Sequence, residues 1–141
     1  MPSPIQVVID TNVLIASLHS ERGASYALLN ALQDKRWMAN ISVPLIWEYE
    51  EIARREKATL GFSDSEIEDL LKNIVEHSNH IEVSFKWPSA AGDRDDEMVL
   101  ELAIAARADY LITFNTGNFA EARRFGIRVV TPGEFMAILR P

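Results

Sequence analysis

The run Ile5-Gln6-Val7-Val8-Ile9 does most to limit the fold, because it is apolar on both faces of an extended chain. Successive strand side chains point to opposite sides, so Val7 and Val8 together demand cover above and below. The run then ends in Asp10-Thr11-Asn12, a carboxylate, a hydroxyl and an amide, before apolar residues resume at Val13 and Leu14. In open α/β sheets, polar sites gather beyond the carboxyl ends of the strands. The blander alternative is a turn whose three polar side chains bond local backbone.

The rest of the chain alternates in the same sense. Val13 to Leu18 is apolar and helical or looped, and Ser25 to Lys35 predicts an amphipathic helix carrying Leu28, Leu29 and Leu32 on one face. Asn40-Ile41-Ser42-Val43 predicts a short strand. Pro44 opens a helix to about Ala58, with Leu45, Tyr49 and Ile52 as its buried stripe and Gly61 as its end. Ser63-Asp64-Ser65-Glu66 is a capping box that starts the next helix. Ile81 to Phe85 alternates apolar and polar as a strand does, and Trp87 to Gly92 reads as a loop. A helix follows from the acidic start Asp93-Arg94-Asp95-Asp96-Glu97 to Arg107. A strand over Tyr110 to Thr113, a turn at Asn115 to Asn118, a short helix over Phe119 to Phe125, and a strand over Ile127 to Val130 complete the alternation. Thr131-Pro132-Gly133-Glu134, a second capping box, opens the last helix. This order predicts a single α/β domain over residues 1–141, three-layered, with a mostly parallel sheet.

The acids follow from this frame. On the helix after Pro44, Glu48 lies about 60° from Leu45, on the margin of the buried stripe, while Glu50 and Glu51 turn outward. On the helix after Asp93, Asp96 falls in the apolar sector of Val99, Leu100, Ala103 and Ala106, whereas Glu97 and Glu101 fall outside it. Acids at a helix start are favoured by the macrodipole, and Asp93 is a natural N-cap. That preference does not explain one acid directed inward. Inward carboxylates from separate segments repel one another and raise each other's pKa unless a cation or arginine lies among them. Carboxylate oxygens suit Mg²⁺ or Mn²⁺, which can activate water and polarise a phosphodiester. Thr113 and Asn115, past the fourth strand, are neutral and would orient rather than supply charge; their bland reading is a turn.

Charge and composition restrict the classes. A net charge of −7 argues against a non-specific nucleic-acid binder but not against a nuclease whose acids are neutralised by metal. Basic residues cluster at Arg54, Arg55 and Lys57 and at Arg123, Arg124 and Arg128, and read first as solvated helix faces. With no cysteine, thiolate metal sites and disulfides are excluded, and His19, His77 and His80 lack zinc-ligand spacing. No apolar run approaches the roughly 20 residues of a membrane span, and no basic-then-apolar signal opens the chain, so the expected place is the cytoplasm.

With these residues in view, the chain resembles the PIN-domain ribonucleases, and within them the VapC-like branch of toxin–antitoxin toxins. The resemblance rests on Val7-Val8-Ile9-Asp10-Thr11-Asn12-Val13-Leu14, Trp47-Glu48-Tyr49-Glu50-Glu51-Ile52 and Asp93-Arg94-Asp95-Asp96-Glu97. It continues in Ala108-Asp109-Tyr110-Leu111-Ile112-Thr113-Phe114-Asn115 and Gly126-Ile127-Arg128-Val129-Val130-Thr131-Pro132. It implies a five-stranded parallel sheet of order 3-2-1-4-5 and an acidic metal site at Asp10, Glu48 and Asp96, with Asn115 at its fourth position. Thr11, Asn12 and Thr113 match the family's polar support. It also implies Mg²⁺ or Mn²⁺ as cofactor, RNA as substrate, a homodimer and a cognate antitoxin. Family members often carry aspartate at or just beyond the fourth position. Here Asn115 and Asn118 are both amides, which leaves one ion or two open.

Three readings therefore stand: a metal-dependent endoribonuclease, a catalytically weak PIN-like module that binds RNA or protein, and a phosphoacceptor receiver-like domain. Against the last, the acids are spread over helices and no lysine follows the fourth or fifth strand.

Overall fold

The structure, a computed structural model, describes residues 3–83 and 94–140, with side chains in the second stretch described from residue 96. Its centre is β1 (Ile5–Ile9), flanked by β2 (Trp37–Ile41) on one side and β4 (Tyr110–Ile112) on the other. β3 (Ser78–His80) and β5 (Arg128–Val130) form the edges. All neighbouring pairs are parallel and the order is 3-2-1-4-5, as the resemblance implied. The sheet is thus the α/β, PIN-like one expected.

The helices are α1 (Thr11–His19), α2 (Ala24–Asn30), α3 (Val43–Leu60), α4 (Asp64–Glu76), α5 (Arg94–Ala105) and α6 (Pro132–Leu139), with a 3-10 segment over Thr116–Phe125. Parallel neighbours need crossovers, and crossovers in such sheets are right-handed. The chain moves outward from β1 to β3, then crosses back to β4 through α5, so α5 covers the opposite face from α1 to α4. The contacts agree: α1 packs on α2 and α3, α2 on α6, and α5 on the 3-10 segment. Val7, Val8, Leu111 and Ile112 are sealed between these layers. Trp37 and Tyr110 both meet Phe135 edge-on at 5.6 Å, which fixes α6 against the sheet.

Both capping boxes form. Ser63 and Glu66 exchange side-chain and backbone bonds at the start of α4, as do Thr131 and Glu134 at the start of α6. Gly61 ends α3 with φ 76°, a left-handed cap that glycine adopts without a Cβ clash.

The differences from expectation lie in β2 and β3. β2 begins at Trp37 and stops at Ile41, because the Ser42 hydroxyl accepts the Leu45 N–H and so caps α3. β3 is Ser78-Asn79-His80 and not the alternating Ile81 to Phe85; residues 81–83 are not strand, and 84 and 85 lie outside the described residues. Amides explain that register. Asn79 Nδ2 donates to Asn40 Oδ1 at 3.3 Å, and Asn40 Nδ2 donates to Gln6 Oε1 at 3.0 Å and to the Val7 carbonyl at 3.1 Å. A polar ladder across three strands thus outweighs the apolar alternation downstream. The helix expected over Ser25 to Lys35 ends at Asn30, α5 ends at Ala105 before left-handed Arg107, and the 3-10 segment starts at Thr116 rather than Phe119. The loop expected at Trp87 to Gly92 and the N-cap expected at Asp93 lie outside the described residues.

Candidate active site

β1 is where the sheet order turns, toward β2 on one side and β4 on the other, so a crevice opens at the carboxyl ends of β1 and β4. Asp10 sits in it, 7% exposed. Its backbone N–H continues the sheet by donating to the Ile112 carbonyl at 2.9 Å. Its carboxylate accepts the Thr11 N–H on Oδ1 and the Thr113 hydroxyl on Oδ2, both at 2.8 Å. Asp10 is also the N-cap of α1, where the helix dipole favours a negative charge.

Thr11 links the first acid to the second. Its backbone serves Asp10, and its hydroxyl donates to Glu48 Oε2 at 2.5 Å. Glu48 is half-buried on α3, whereas Glu50 and Glu51 are exposed and pair with Arg54 and Arg55, as the helical wheel predicts.

Thr113 is fully buried and ties the β4 side together. Its Oγ1 accepts Asn12 Nδ2 at 3.3 Å and the Asn115 N–H at 3.0 Å. A hydroxyl has two acceptor sites and one proton. With both sites occupied, the proton is left to Asp10. Asn12 Oδ1 in turn accepts the Phe114 N–H at 3.3 Å. Asn12 and Thr113 therefore hold the ends of β1 and β4 in one network.

Tyr49 is a member that sequence reasoning assigned only to the core. It is buried, and its hydroxyl donates to the carbonyl of Ile9, the residue before Asp10. Burial first, then the negative charges of Asp10 and Glu48, push the phenol well above its ordinary pKa of 10.0. It remains a protonated donor. The available signal was a hydroxyl on the buried stripe next to Glu48.

Asp96 lies near the start of α5, half-buried as expected. Its Oδ2 accepts Asn118 Nδ2 at 3.4 Å, so Asn118 rather than Asn115 sends an amide to an acid. Asn115 is exposed and enters the network through its backbone N–H. Glu97 and Glu101, expected outside the apolar sector, are half-buried too, on a helix that packs both on the sheet and against the 3-10 segment. Glu101 has one carboxylate oxygen buried, and burial, then the charge of Glu97, raises its pKa above 4.5.

The structure thus joins Asp10, Glu48, Thr11, Asn12 and Thr113 directly. Among the described residues, no group of three or more Asp, Glu, His or Cys side chains is already gathered as a metal site. By chemistry the donors fit a hard divalent cation. They are carboxylate and hydroxyl oxygens, and two of the carboxylates act together on the buried Tyr49 phenol.

Comparison with known proteins bears on the family and the fold. The family model for the PIN domain matches residues 6–117, a span that contains Asp10, Glu48, Asp96 and Thr113. No curated protein is similar enough in sequence to count as a relative. Among solved structures, the chain is similar to the crystal structure of VapBC2 from Rickettsia felis bound to a DNA fragment from their promoter. The TM-score is 0.56 at 14% identity, covering 89% of this chain and 97% of that one. At that identity the likeness is one of fold. A family match over most of the chain, on a sheet of this order with its acids at the switch point, leads to one conclusion: the chain belongs to the PIN-domain family.

Proposed function

We propose that the protein is a Mg²⁺- or Mn²⁺-dependent endoribonuclease that hydrolyses RNA phosphodiester bonds. The observation that carries this reading is the coupling of Asp10 and Glu48 through Thr11, with Thr113 fixing the other oxygen of Asp10. Asp10 and Glu48 would hold the cation, with Asp96 drawn in as a third ligand when it binds, and the cation would supply Lewis-acid polarisation of the phosphodiester and a more acidic water. The chain's own residues do the positioning. Thr11 and Thr113 stop the Asp10 carboxylate from rotating, Tyr49 anchors the backbone behind it, and Asn118 steadies Asp96. Asn115, at the rim, would help orient the substrate.

The test is RNA cleavage with Mn²⁺ or Mg²⁺ added. Cleavage is expected to vanish in chelator and in Asp10→Asn. Activity that survives either change overturns the reading.

The fold likeness to a VapBC2 protein supports a toxin of a toxin–antitoxin pair, with a cognate antitoxin as partner. We extend the reading to a homodimer, which the exposed Val43 and Trp47 on α3 favour, and to the cytoplasm. Among the described residues no helix is long and apolar enough to cross a membrane. A second reading, a catalytically weak module that binds RNA or protein, is favoured by the amides at Asn115 and Asn118 and by the net charge of −7. Calorimetric titration with Mn²⁺ separates the two: the nuclease binds the ion at or below millimolar concentration, and the binding module does not.

A further inference from the structure

The acidic site leaves a basic part of the surface without a role. Arg36, Arg54, Arg55, Lys57 and Lys72 all pair with carboxylates. Arg123 and Arg128 are exposed and form no ion pair among the described residues, in a chain whose net charge is −7. They line an open groove of about 950 Å³ between the 3-10 segment and β5. Thr116 and Gly117, which directly follow Asn115 in the loop from Thr113, line it as well.

The sheet register gives the groove a direction. Val130 pairs with Ile112 and so stands level with the carboxyl end of β4, beside the site. Arg128 pairs with Tyr110, two residues back, which is roughly 7 Å along an edge strand. The groove therefore leads away from the Asp10 crevice along the margin of the sheet. Glu134 also lines it, but the carboxylate of Glu134 is taken up by the Thr131 N–H in the α6 cap.

We propose that this groove carries the phosphate backbone of single-stranded RNA away from the Asp10 site, with Arg123 and Arg128 as its phosphate contacts. The inference rests on the ribonuclease reading and names the path of its substrate. A guanidinium presents a planar fork of donors that matches phosphate oxygens, and an unpaired one needs no internal salt bridge to be broken first. A single strand is favoured over a duplex because Asp10 lies in a crevice and is 7% exposed, so a reacting phosphodiester must bend inward to reach it. An acidic protein segment is the competing occupant, but only a phosphodiester strand has a reacting group to deliver to the Asp10 site.

Binding is measured with fluorescent oligouridylate in chelator, where no metal-dependent cleavage occurs, over a series of salt concentrations. Each phosphate contact on a single strand contributes about 0.7 to the slope of log affinity against log salt. Arg123→Ala/Arg128→Ala is expected to weaken binding roughly tenfold and to flatten that slope by about 1.4. Arg123→Lys/Arg128→Lys, which keeps the charges, is expected to retain most of the slope. Circular dichroism of both double variants should match the wild type, since both side chains are exposed. An unchanged slope in the alanine variant overturns the proposal, as does competition by polyglutamate as effective as that by oligouridylate. Wild-type RNA cleavage with Mn²⁺ beside an unchanged slope removes the groove and leaves the nuclease. A flattened slope without any cleavage removes the nuclease and leaves the groove.

Discussion

At the residue scale, Thr113 is the most informative side chain of the site. It is neutral and fully buried, and it directs its one proton at Asp10 because both of its acceptor positions are filled by Asn12 and Asn115. Thr113→Val keeps the shape and removes the proton. It is expected to lower Mn²⁺ affinity or cleavage by about 10–100-fold, the usual loss when a ligand's orienting partner goes, as read by calorimetry and turnover. Glu101 gives a pH-dependent expectation. Its folded pKa is raised, so its protonated form is the one the fold prefers. Stability from this group is present below the unfolded carboxylate pKa and is lost as pH rises through the raised value. Glu101→Gln is therefore expected to melt at a higher temperature than wild type at neutral pH, with the gap closing on acidification below about 4.5 in a thermal melt series. Asp10 and Glu48 were legible in the sequence because a strand end and a helical wheel fix directions. Tyr49 was not, since a hydroxyl on a buried stripe looks the same whether it bonds anything or not. The link from Asn118 to Asp96 was also hidden, because it depends on how the 3-10 segment winds past α5, and Phe119 departs from helical geometry within it.

At the scale of the element, helix starts were legible and short strands were not. Ser63 and Thr131 form the reciprocal caps that their sequences spell, because a capping box is a local geometry with a local code. Ser63→Ala removes the acceptor for the Glu66 N–H, and a loss of about 1 kcal/mol is expected in urea unfolding, with an unchanged m-value. The start of α4 is further held to α3, since Asp64 takes Arg54 at 3.0 Å and also pairs with Lys57. β3 shows the opposite case. Three residues of a parallel edge strand gain little from apolar patterning, and the register is set by partners nearly forty residues away. Asn40 and Asn79 could not be matched from their own neighbourhoods, so the pattern at Ile81 to Phe85 drew the expectation downstream.

At the scale of the whole molecule, the layered sheet was legible from alternation, and its order came with the family resemblance. The charge map was only half legible. A sequence gives −7 but not which arginines are consumed by carboxylates, and that depends on which helices lie side by side. The pairing of β1 with β4 has a further consequence for synthesis. Asp10 and Thr113 meet across a separation of 103 residues, and the Asp10 N–H is held by the carbonyl of Ile112. Ribosomes make the chain from its amino end, so the first acid emerges 103 residues before the hydroxyl that orients it. A nascent chain carries the carboxylates without the crevice that directs them. A molecule proposed to attack RNA thus has its reactive centre completed only after β4 has been made, long after the first acid.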